Sequence, residues 1–144
     1  MHPHLHPSSE KIEKMYLVKG SFGLLIFDDD GKVTDTIILE KELNTFLEVP
    51  AFTWHTYVML TKEVVVYETM EGVYDQATWK EMAPWAPAEN TTEAVPFLEK
   101  LKTKTNIRFK TIIICFIMTC LIRKSIGIMF MWRKTRPSSL PYCI

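Results

Sequence analysis

Four histidines are spread unevenly along the 144 residues. His2, His4 and His6 fall in the opening HPHLHP, and His55 stands alone in EVPAFTWHTYVML. In an extended strand, residues two apart share a face, so His4 and His6 can point together, with His2 beside them. Glu13 begins the next extended run, and His55 opens a later one after Pro50. Three imidazoles and one carboxylate converging inside a small barrel would suit one divalent transition metal. Neutral imidazole and ionised carboxylate accept iron, manganese, nickel, copper or zinc, and the sequence does not choose among them. The competing expectation is a solvated terminal segment whose histidines hold nothing.

Other residues could serve the same pocket. Tyr57 lies two positions after His55, and Glu68 sits on the strand that follows. Either could bind substrate or transfer a proton, or simply fill the barrel. Trp79 and Trp85 read as packing residues rather than ligand platforms. Asp28–Asp30 lacks the remaining ligands of a calcium loop and reads as a solvated turn.

The elements that must position these residues are mostly strands. Glu13–Lys19 is a short extended run ending at Gly20. The apolar FGLLIF, the turn residues DDDG and then KVTDTIIL predict one hairpin over residues 22–39. Thr56–Leu60 and Val64–Thr69 are β-branched and apolar, separated by Thr61-Lys62-Glu63. Short strands at close spacing, without a helical period, indicate an all-β sandwich or barrel. Residues 71–92 read as an irregular segment carrying aromatics over the sheet. Residues 93–102 predict a short helix, with Asn90 and Glu93 placed like a capping box.

The stretch H-x-H at 4–6 followed by E-x6-G from Glu13 to Gly20 resembles the first cupin motif, and PAFTWH at 50–55 resembles the second. LLIFDDDGKV (24–33), VPAFTWHT (49–56), EGVYDQAT (71–78) and APWAPAE (83–89) narrow the likeness. Together they resemble the WbuC-type cupin fold metalloproteins of bacterial polysaccharide gene clusters, over roughly residues 4–100. The resemblance implies a double-stranded β-helix (jelly-roll) barrel with metal ligands at His4, His6, Glu13 and His55. It lends a site and not a substrate, and leaves open whether the protein is an enzyme; a small polar, sugar-derived ligand is the expectation. Several positions depart from the pattern. Six residues separate His6 from Glu13, which makes Glu10 a rival carboxylate. Phe52 occupies a glycine position, and Met70 and Val73 stand where a Lys and a Pro are expected. The barrel is also expected to lack its first strands, which a homodimer could supply. A degenerate cupin acting as a non-catalytic binding module is the alternative.

Charge divides the chain. Residues 1–100 carry 8 Lys+Arg and all 17 Asp+Glu, whereas residues 101–144 carry 9 Lys+Arg and no acid. All three cysteines lie in the second stretch. The expected organisation is therefore a metal-binding barrel over 1–102 and an apolar, basic, helical tail over 103–144 that is foreign to the family pattern. The tail could touch a membrane through residues 111–132, but Arg123-Lys124 would sit mid-span at about 2.5–3.5 kcal/mol each. A membrane-anchored protein is thus the weaker reading, and a cytoplasmic location the expected one. Nucleic acid is not expected as a partner, because the apolar runs would need burial first.

Overall fold

The computed structural model describes residues 1–104, 115–123 and 126–134. The strands are β1 (His4–Leu5), β2 (Glu13–Lys19), β3 (Ser21–Phe27), β4 (Val33–Glu40), β5 (Phe46–Val49), β6 (Trp54–Met59), β7 (Glu63–Met70) and β8 (Glu81–Met82). Helix α1 (Ala94–Lys104) follows, then β9 (Cys115–Arg123) and β10 (Ile126–Lys134). Two antiparallel five-stranded sheets result, ordered β4-β3-β6-β1-β8 and β5-β2-β7-β10-β9. An all-β architecture with one short helix is what the strand patterning predicts.

Alternation sets the inner face of each strand. On β2, Glu13, Met15 and Leu17 are buried while Tyr16 and Val18 are exposed. On β7, Val64, Val66, Glu68 and Met70 are buried in the same rhythm. Met15, Leu17, Val64 and Val66 meet Phe22, Leu24, Tyr57 and Met59 of the first sheet in one apolar core, so the two sheets pack face to face. Strand β6 is buried along its whole length. His55, Tyr57 and Met59 share the face that joins this core. Trp54 and Val58 face a second cluster, built with Leu5, Leu25, Phe27 and Leu101 of α1. The helix therefore seals the outer side of the sheet that carries His55.

The predicted hairpin is β3–β4, closed by Gly31 N–H donating to the Asp28 carbonyl. Asp28 Oδ1 accepts from the backbone N–H of Asp30 and of Lys32, which is turn chemistry. Gly20 has φ 81°, and a side chain there would strike the Glu63 carbonyl oxygen. The glycine that ends the first motif is thus required where the chain leaves β2 in one sheet for β3 in the other.

The helical expectation for the tail is overturned. Residues 115–123 and 126–134 are strands, paired with each other and, through β10, with β7 from Gly127↔Met70 to Lys134↔Glu63. The run is rich in isoleucine and aromatic residues and has no polar positions at helical spacing. Such a sequence favours a pleated surface, and β7 offers an edge to extend. The rest of the tail, including Cys143, lies outside the described residues. Among the described residues no helix is long and apolar enough to cross a membrane.

Candidate metal centre

Strand β1 lies beside β6 with His4 directly opposite His55, and their ring centroids are 4.5 Å apart. His6 follows β1 two residues on, so it shares the face of His4; its ring lies 5.3 Å from that of His4 and 5.7 Å from that of His55. All three are buried, and each offers one ring nitrogen within 4.8 Å of the others. His2, the remaining histidine of the opening stretch, does not join them; its Nε2 lies 3.1 Å from the Ala83 carbonyl oxygen.

The backbone fixes how each ring is turned. Nδ1 of His4 lies 3.0 Å from the His2 carbonyl oxygen, Nδ1 of His6 2.8 Å from that of Trp79, and Nδ1 of His55 2.8 Å from that of Thr53. A carbonyl oxygen can only accept, so each Nδ1 carries the proton and donates. In the neutral ring that leaves Nε2 with a free lone pair. Burial, with the neighbouring His55 adding to it, holds the His4 imidazole well below the ordinary histidine range, so this ring is neutral at physiological pH. Metal-binding histidines are oriented in this way, by a hydrogen bond from the ring nitrogen that does not bind.

The carboxylates come from the second sheet. Glu13 is only 1% exposed, and its Oε2 stands 3.1 Å from His55 Nε2 and 3.5 Å from His6 Nε2. None of these three atoms has a partner in hydrogen-bond alignment. Glu13 Oε1 accepts a 2.5 Å hydrogen bond from the Tyr57 hydroxyl. Burial by itself would raise the Glu13 carboxyl, but its polar contacts with His55 and His6 outweigh that and hold it well below the usual range. Glu68 lies diagonal to Glu13, since β2 and β7 pair Met15 with Glu68 and Glu13 with Met70. Burial and then the Glu13 charge push its carboxyl well above the usual range. Two buried carboxyls side by side cannot both ionise cheaply, so Glu13 is the anion and Glu68 keeps the proton. Glu10 is exposed, in the loop before β2; the six-residue gap after His6 brings Glu13 to the histidines instead.

Buried, unpartnered nitrogen and oxygen atoms are costly unless something satisfies them. Three imidazoles, each tied to the backbone through Nδ1, and one carboxylate suit a divalent transition metal, so the residues present fit such an ion. Tyr57 and Glu68, read from sequence as pocket residues, both line the cavity of about 180 Å³ in front of this cluster. A larger cavity of about 310 Å³ lies between β6 and α1. Its walls are mainly apolar and include Phe97, Leu98 and Leu101. No grouping of three ligating side chains is formed there among the described residues, so the chemistry belongs to the smaller cavity.

Sequence reasoning missed what supports the site from residues 78–80. Trp79 is buried as a packing residue should be, but its carbonyl is what orients His6. Lys11 is buried beneath it, donating to the Thr78 carbonyl at 2.7 Å with its ammonium 5.1 Å from the Trp79 ring centroid. Phe52 has φ 61° and its N–H donates to the His6 carbonyl. The turn of the second motif thus holds the first motif in place, with phenylalanine in the left-handed conformation that glycine favours.

A family model described as a domain of unknown function (DUF6016) matches residues 1–39, the stretch carrying His4, His6 and Glu13. No curated protein and no solved structure matches the chain.

Proposed function

We propose that this is a cupin metalloprotein of the WbuC type, holding one divalent transition metal through His4, His6, His55 and Glu13. The observation that carries the reading is the shared orientation of the three rings. Each donates from Nδ1 to a backbone carbonyl and leaves Nε2 facing the cluster. A metal bound there supplies Lewis acidity to a ligand oxygen. The chain's own residues do the rest. Tyr57 holds Glu13 in place, Glu68 stores a proton beside it, and the Trp79 side chain covers part of the cavity. A small polar, sugar-derived ligand would enter from the side of Tyr74 and Gln76, which line the same cavity.

A second reading is a metal-free binding module. It draws on the Tyr57–Glu13 hydrogen bond, which occupies one carboxylate oxygen without any metal. Elemental analysis of protein purified without chelators separates the two. The metalloprotein reading expects about one metal per chain, and a His55→Ala protein with far less. Wild-type protein without metal would leave the binding module.

A further inference from the structure

Among the described residues Lys80 supplies the one lysine or arginine side chain that lines the cavity of the metal centre; the Met1 α-ammonium, also at this cavity, is paired with Glu89. Lys80 precedes β8, which pairs with β1 through His4↔Met82 and Leu5↔Glu81. Continuing that antiparallel register sets Lys80 opposite His6. Its backbone is anchored on the preceding residue by the bond from His6 to the Trp79 carbonyl. The side chain is half-buried, and among the described residues it forms no hydrogen bond or ion pair. It shares the wall of the cavity with His4, His6 and Glu68. A lysine stem that is half-buried still carries its ammonium toward open space, and here that space is a polar cavity.

We propose that Lys80 is the anchor for an anionic group on the ligand, so that the protein binds small carboxylate-bearing molecules rather than neutral ones. The inference rests on the metal-centre reading above and names the ligand class for it. A divalent ion held by the centre would add positive charge beside the Lys80 ammonium. A ligand with one carboxylate and a neighbouring oxygen meets both the metal and the ammonium. The cavity, at about 180 Å³, lies below the roughly 300–1,000 Å³ of pockets for drug-sized ligands. Only a small molecule, or the acidic end of a larger one, fits.

Glycolate and its neutral counterpart glycolamide test this by calorimetric titration of the purified protein, with metal content measured on the same samples. Wild-type protein should bind glycolate about tenfold more tightly than glycolamide. Lys80→Met should abolish that preference while keeping metal content and melting temperature, and Lys80→Arg should restore it. Equal binding of the two compounds by wild-type protein would overturn the proposal. So would loss of metal from the Lys80→Met protein, because Lys80 would then support the centre itself. Metal-free protein that still prefers glycolate would sink the metal centre and leave the anion site standing.

Discussion

The imidazoles and the carboxylates of the site belong to different sheets, and they are held by different means. His4, His6 and His55 lie on or beside β1 and β6 of one sheet. Their rings are oriented by carbonyls of His2, Trp79 and Thr53, which lie at the entrances of β1, β8 and β6 in that same sheet. Glu13 and Glu68 lie on β2 and β7 of the other sheet. The carboxylate of Glu13 is oriented across the gap, by Tyr57 and by its approach to His55 and His6. One half of the site is therefore built within a single sheet, and the other half depends on how the two sheets pack. Metal binding should report on that packing, and damage to either sheet should be felt differently.

The largest effect is expected from the second sheet's border. Deleting residues 105–144 removes β9 and β10 and leaves β7 paired only with β2, with eight residue pairs lost along its other edge. At about 0.5–1.5 kcal/mol net per ladder hydrogen bond, the loss should reach several kcal/mol. The melting temperature should fall by 10 °C or more, on the scale of about 4–8 °C per kcal/mol for a small domain. A truncated chain that melts where the full one does would make the hairpin an appendage.

Tyr57→Phe cuts the tie between the sheets at one atom. It removes a hydrogen bond to a buried carboxylate, which costs about 1.5–3 kcal/mol. Urea unfolding of the metal-free protein should show that loss. An unchanged midpoint would mean that Glu13 finds its position without help from β6.

Acid should act on His4 and Glu68 with opposite signs. The folded-state pKa of His4 is depressed, so below the unfolded value near 6.5 the unfolded chain binds more protons and stability falls. The folded-state pKa of Glu68 is raised, so its contribution is full below about 4.5 and is lost as pH rises through the folded value. In the metal-free protein the two slopes oppose each other between those limits. Glu68→Gln removes the second, so below pH 6.5 this variant should lose stability with acid more steeply than wild type. The slope from His4 is at most about 1.4 kcal/mol per pH unit. Parallel curves for the two proteins would contradict the carboxyl pairing.

Phe52→Gly should give the smallest change, and in the opposite direction. Phe52 is 59% exposed and left-handed, so glycine loses little burial and relieves about 1 kcal/mol of backbone strain. Chemical denaturation should show a modest gain. A loss would mean that the ring contributes packing that outweighs its backbone.

What could be read from the sequence followed the period-two rhythm. His4 with His6, Glu13 with Met15 and Leu17, and His55 with Tyr57 each share the face that alternation assigns. The β3–β4 turn was legible because its residues have distinctive backbone preferences. The carbonyls of Thr53 and Trp79 were not, since a backbone acceptor leaves no mark on residue type. Nothing in their residue type or spacing marked out Lys11 and Lys80; only the fold shows one buried under Trp79 and the other lining the cavity. The tail misled because residues apolar at nearly every position have no period, and an open edge on β7 made them strands.

The central claim is that a metal joins the two sheets, and thermal unfolding of the metal-free protein with added zinc, nickel or manganese tests it most directly. Ligand present at a hundred times its dissociation constant stabilises a folded protein by about 2.7 kcal/mol. At least one of these ions should raise the wild-type melting temperature accordingly and leave the His55→Ala protein unmoved. A wild-type midpoint indifferent to all three, or an equal shift in the variant, would contradict the account.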